Sequence, residues 1–146
     1  GYPAATVRSV GRGKVIAIHG AFMETYLLTH HPRIRRFFRS LLDAAGRPGR
    51  ISVSAPPSVE ISRRRGKGFT AVHFVNRAAH PTLTPRLHIV EEAPPTGPVS
   101  FEFECPTRPS KVTLEPGGRA IDWSHGKGVL RAVVPAIAVH EIVVIS

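Results

Sequence analysis

Between Pro32 and Ala45 the chain reads PRIRRFFRSLLDAA, and no other stretch limits its folding options so strongly. Ile34, Phe37, Phe38, Leu41, Leu42 and Ala45 recur at i, i+3, i+4, i+7, i+8 and i+11, which lines them up as one apolar stripe of an α-helix. Arg33, Arg35, Arg36 and Arg39 take the other side. Pro32 fits the first turn, where its missing N–H costs nothing. Gly46, with Arg47-Pro48-Gly49 behind it, stops the helix. A stripe this apolar has to be covered by something.

Upstream, Ala5–Val10 and Lys14–Ile18 are β-prone runs around Gly11-Arg12-Gly13, a spacing that suits a tight hairpin. Ile18-His19-Gly20 then leads into a short helix over Ala21–Thr29. The GRG precedes a strand and lacks a third glycine, so it is not a dinucleotide fingerprint.

From Arg50 the pattern becomes β. Ile51–Ser54 is a short run, and Ser58–Arg64 alternates Val59 and Ile61 against Glu60 and Ser62. Arg65-Gly66-Lys67-Gly68 reads as a turn into Phe69–Asn76, apolar on both faces as an interior strand is. Arg77–Pro85 reads as a loop, Arg86–Val90 as a weak strand and Glu91–Pro98 as a Pro-rich connection. Val99–Cys105 alternates Phe101, Phe103 and Cys105 inward against Glu102 and Glu104 outward. Lys111–Glu115 is a further strand. Arg119–Trp123 is expected to pair with Gly128–Val134 across Ser124–Lys127, and Val139–Ile145 closes as an apolar strand. About eight short strands at regular spacing predict a mainly β chain, an antiparallel β-sandwich, immunoglobulin-like or similar, preceded by a β-hairpin and two helices. The expected domains are 1–49 and 50–146.

At 146 residues with 42% apolar composition, the chain can bury one real core. No run of eighteen apolar residues exists, so no membrane span is expected. The opening GYPAATVRSVGRG lacks the basic-then-apolar layout of a signal peptide. Cys105 is the single cysteine, which excludes an internal disulfide and favours a thiol-tolerant, cytoplasmic setting. The net charge of +10 sits in the first half: residues 1–67 hold thirteen Lys/Arg against three acids, and residues 68–146 hold seven of each. A basic half raises nucleic acid as a partner. Sixteen of the twenty basic residues are arginine, and few aromatics interleave them, which reads better as compositional bias.

Candidate chemistry is sparse. Glu102 and Glu104 are the residue type for glycoside acid/base work, but they share one strand face with nothing to set their environments apart. Glu91 and Glu92 fall in a loop and read as solvated. Eight histidines (His19, His30, His31, His73, His80, His88, His125, His140) show no ligand spacing, so no metal and no cofactor are expected. His73 reads as a hydrogen-bonded core residue, and Cys105 as a small hydrophobe. No nucleophile elbow is present. Trp123, the one tryptophan, with Asp122 and His125, is the candidate carbohydrate-binding set, because an exposed indole matches the C–H face of a pyranose. The competing reading has Ile121 and Trp123 pointing inward to fill the core.

Two stretches carry a resemblance. GRGKVIAIHG and HHPRIRRFFRSLL, within Gly11–Leu42, resemble the last strand and closing helix of the flavodoxin-like trimerisation domain of β-galactosidase-like glycoside hydrolases. APPSVEIS (Ala55–Ser62), VHFVN (Val72–Asn76), RPSKVTLEPGG (Arg108–Gly118) and VVPAIAVHEIVVI (Val133–Ile145) are similar to the β-sandwich that follows that domain. The resemblance implies a parent with a (β/α)8 barrel bearing the catalytic carboxylates, an α/β domain that helps oligomerisation, and a terminal all-β domain. This chain matches the end of the second part and the third, so no catalytic residue of the family is carried over. A doubly wound domain needs several parallel strands, and here only a hairpin and two helices remain. The function expected is that of a non-catalytic C-terminal structural or interaction domain. Its partner would be the rest of a glycosidase-like chain or a second copy, met through helix Pro32–Ala45. A carbohydrate-binding module and a basic nucleic-acid-binding domain are the alternatives.

Overall fold

The computed structural model describes residues 1–46, 51–78, 82–84, 87–88 and 93–146. The chain divides into two compact units, Gly1–Gly49 and Arg50–Ser146.

In the first unit, β1 (Ala5–Val10) and β2 (Gly13–Ile18) form an antiparallel hairpin from Ala5↔Ile18 to Val10↔Gly13. Gly11, at φ 57, takes the left-handed position the tight turn requires. Helix α1 (Phe22–Thr29) ends at His30, which adopts the left-handed conformation and returns its N–H to the Tyr26 carbonyl. Helix α2 (Pro32–Ala44) starts with Pro32 in its first turn, and the His31 side chain accepts the Arg33 N–H as an N-cap. Gly46, at φ 72, follows the helix end as a glycine should; Arg47-Pro48-Gly49 and Arg50 lie outside the described residues. The Lys14 ammonium donates to the Ala44 carbonyl at 2.6 Å, tying β2 to the end of α2.

The stripe on α2 is real but only half covered. Ile34, Phe37, Phe38, Leu41 and Ala45 are half-buried, with Phe37 5.0 Å from Phe22 and Phe38 edge-on to Tyr26. Leu42 stays exposed, as do Met23, Leu27 and Leu28 on α1. No described residue of this unit is fully buried.

The second unit is mainly β and sandwich-like, as the alternation predicts. One sheet has five strands in the order β10-β9-β13-β5-β4, and the other has four in the order β11-β12-β8-β3. The strands are β3 (Ile51–Ser54), β4 (Val59–Gly66), β5 (Phe69–Asn76), β8 (Val99–Glu104), β9 (Val112–Glu115), β10 (Arg119–Ala120), β11 (Trp123–Gly126), β12 (Val129–Val134) and β13 (His140–Ile145). Every pairing is antiparallel. The last strand, β13, inserts between β5 and β9 in the interior of the larger sheet. Inward residues of both sheets build the core: Phe74 meets Phe101 at 5.3 Å across the sandwich, with Val72, Leu114, Leu130, Val134 and Val143 around them. Asn76 is buried and satisfied. Its amide nitrogen donates to the Pro94 and Ala138 carbonyls and its oxygen accepts from Ala78 N–H, which fastens the end of β5 to two later segments.

Two local expectations are corrected. Arg119–Trp123 is not one strand: β10 pairs with β9, and β11 pairs with β12 through a two-residue turn at Lys127-Gly128, with φ 53 and 73. Both central residues carry positive φ, as a type I′ hairpin demands, and a lysine there hides the signal. Within the expected loop Arg77–Pro85, Thr82–Thr84 (β6) pairs with Leu87–His88 (β7). His80, Glu91, Glu92 and the ends of the expected strand Arg86–Val90 lie outside the described residues. No helix among the described residues is long and apolar enough to cross a membrane.

Candidate functional site

The outer face of the four-stranded sheet carries an open groove of about 640 Å³. Alternation sets its lining. Phe101, Leu130, Ala132 and Val134 turn into the core, so Ser100, Glu102, Arg131 and Val133 turn out. The register then places side chains in two rows across the strands. Ser124, Arg131, Glu102 and Ser52 form one row, and Val133, Ser100 and Ser54 form the next. Arg131 Nε donates to Glu102 Oε1 at 2.8 Å in the middle of the first row. Both side chains are half exposed, so this ion pair orders the face more than it stabilises the fold.

Asp122 and Trp123 sit at the groove's β11 edge. Asp122 is exposed, and its carbonyl accepts the Val133 N–H at 3.2 Å. Trp123 stands opposite Ala132, on the core side of the edge strand, and is half-buried against the core together with Ile121. The Arg108 guanidinium lies 5.5 Å from the Trp123 ring centre, so one indole face already has an occupant. His125 does not join them. Its ring nitrogen Nε2 bonds the Cys105 carbonyl at 2.8 Å and pins the end of β8 to β11. Of the three candidate sugar-binding residues, the fold brings two to one groove and assigns the third to a strand-end contact.

Glu102 and Glu104 share the solvent face of β8, and Glu102 is committed to Arg131. Cys105 packs against the core and donates to the Thr107 carbonyl, and burial raises its thiol above the usual range. His73 is on an interior strand but faces outward, a correction to the expectation of a core histidine. Its Nδ1 lies 3.1 Å from His140 Nε2, and the rings stack. The parity of β5 explains this: Val72 and Phe74 take the core side, leaving His73 the other. Among the described residues no three His, Cys, Asp or Glu side chains converge as a metal would require. In sequence Ser52, Ser54 and Ser100 fall on expected strands, and Ser124 falls in an expected turn. What aligned them was strand pairing, which alternation cannot supply.

No family model matches the chain, and no curated protein matches it. Among solved structures it is similar to an α-L-fucosidase, isoenzyme 2 from Paenibacillus thiaminolyticus. The TM-score is 0.75 at 18% identity, over 96% of this chain and 21% of that chain. The chain has the fold of part of a glycoside hydrolase. At this identity the likeness is one of fold, and this chain spans about a fifth of that enzyme's length.

Proposed function

We propose that this chain acts as a non-catalytic structural and interaction domain of a glycoside-hydrolase-like protein, the C-terminal part of a β-galactosidase-like parent. One observation carries the reading: nearly all of this chain overlays about a fifth of a much longer glycosidase. The work of such a domain is packing. The apolar residues of α1 and α2 left in solvent (Met23, Leu27, Leu28 and Leu42) would be buried against the rest of a glycosidase-like chain or a second copy. The residues 1–49 then correspond to a remnant of a trimerisation-like domain, and 50–146 to the terminal sandwich.

Sedimentation of the chain over a wide concentration range, with and without a glycosidase barrel from the same protein, tests this. Association that is lost in a Leu27→Glu, Leu28→Glu, Leu42→Glu variant is the expected result. Turnover of chromogenic glycosides by this chain alone would refute it.

A second reading, a carbohydrate-binding module, draws on the meeting of Trp123 and Asp122 in the groove. Saturable polysaccharide binding that Trp123→Ala abolishes, with the fold intact, would favour it. His125→Ala should then leave binding unchanged.

A further inference from the structure

At one end of the sandwich, strand β4 runs out of apolar residues before it runs out of core-facing positions. Val59, Ile61, Arg63 and Arg65 share one face, opposite Asn76, Phe74, Val72 and Thr70 of β5. The first two pack on the core, and the last two are arginines on the same side of an edge strand. Arg63 lies over the Phe103 ring at 6.0 Å, and Arg108, from the connection between β8 and β9, lies over Trp123 at 5.5 Å. Arg65 and Arg108 both line a second cavity, of about 470 Å³, beside Phe69 and Phe103.

Among the described residues, no acidic side chain lines this cavity. Glu60, Glu141 and Glu102 pair with Arg77, Arg119 and Arg131. The Ser146 oxygen at the rim is already taken by the Ser110 and Lys111 amides and the Ser110 hydroxyl. A guanidinium laid on an aromatic face keeps its N–H fork free at the edge, and that fork matches an oxyanion two bonds at a time. The volume falls in the range of roughly 300–1,000 Å³ that holds small organic ligands. Two guanidinium groups with no acidic side chain among the described residues beside them, and an aromatic wall, thus occur together.

We propose that this end of the sandwich binds an organic oxyanion of about monosaccharide size, its sulfate, phosphate or carboxylate group held by Arg65 and Arg108 and its apolar part against Phe69. The inference does not depend on the accessory-domain reading. The competing account is that Arg63 and Arg65 are inward charges that keep an edge strand from pairing with another chain.

Calorimetric titration of the intact chain with glucose 6-phosphate, glucose 6-sulfate, glucuronate and glucose separates these, since one ring is offered with three anionic groups and with none. At least one anionic sugar is expected to bind, glucose to bind roughly tenfold more weakly or not at all, and affinity to fall with salt. The preferred anionic group identifies the ligand class. Arg65→Gln and Arg108→Gln should each weaken binding roughly tenfold, with Arg108→Lys intermediate because it keeps the charge and loses the fork. Trp123 fluorescence provides a second readout, expected to respond to the anion in the native chain and not in Arg108→Gln. Absence of heat with all three anionic sugars, equal binding of glucose, or anion binding indifferent to both glutamine variants would overturn the proposal. So would an Arg65→Gln variant that self-associates while the native chain binds none of the anions.

Discussion

The two units of this chain are both built largely from regular structure, to different ends. In the sandwich, Val72, Phe74, Val99, Leu130, Val134, Ile137 and Val143 have no exposed surface at all. In the hairpin–helix unit, nothing among the described residues is buried, and Tyr2, Val7, Val10, Val15, Ile18, Met23, Leu27, Leu28 and Leu42 are exposed. Secondary structure can be satisfied locally, by backbone hydrogen bonds, a capping His31 and a hairpin glycine. A core cannot, because it needs two apolar faces that meet. The sandwich brings two sheets together, whereas the helices of the first unit meet each other along only part of their apolar surface. Such a unit keeps its surplus apolar area for a partner.

The sharpest test of that contrast is a matched truncation. Phe74→Ala should cost about 3–5 kcal/mol in chemical denaturation of the sandwich, because it empties a site without solvent access. Phe37→Ala, at a half-buried ring, should cost less than half of that, read by hydrogen exchange over residues 22–45. Equal costs would show the first unit to be as tightly built as the second. Gly97→Ala comes next. Its Cβ would sit 2.6 Å from the Pro135 carbonyl oxygen, a backbone atom that cannot step aside, and φ there is 152. A loss of about 1–3 kcal/mol in thermal unfolding is expected. Arg131→Gln, which breaks the exposed pair with Glu102, should change stability by less than about 1 kcal/mol. A larger loss would mean that the outer face of the four-stranded sheet contributes as the core does.

The smallest effect concerns His73. Its pKa is lowered by partial burial first, then by His140 and by Arg64. The unfolded chain therefore takes up a proton at His73 more readily than the folded one. Stability associated with this residue is present above the unfolded value near 6.5 and is lost as pH falls through that value to the folded pKa. The thermal midpoint of the sandwich should drop slightly on acidification through this window, and His73→Gln should flatten the dependence. A midpoint that rises on acidification in the native chain but not in the variant would reverse the assignment.

Much of this could be read from residues in order. Strand β5 was bounded at Phe69 and Asn76 by its apolar run between turn signals, and α2 by Pro32, its stripe and Gly46. Where the sequence misled, a local rule had a competitor. Lys127 occupies a left-handed position usually held by Asn or Gly, so the β11–β12 turn is displaced from the expected Ser124–Lys127: Trp123 does pair with Gly128–Val134 as expected, but Arg119–Ala120 pairs with β9. His73 lay in a run apolar on both faces, where alternation cannot tell inside from outside. Trp123, Asp122 and His125 were neighbours in sequence, but only two of them border the groove. Successive residues on a strand point to opposite sides, and those sides are distinguished only once the strand has partners.

The amino-acid order alone determined both helices and most of the strands, because periods of 3.6 and 2 and the φ demands of proline and glycine act within a few residues. It also set the uneven charge. Only the tertiary structure decided that β13 enters the middle of a sheet begun some eighty residues earlier, that Asn76 fastens β5 to two distant segments, and that Arg63, Arg65 and Arg108 gather at one open end. Those outcomes depend on which faces pack against which, a choice made by contacts between residues far apart in the chain, and no local pattern encodes it.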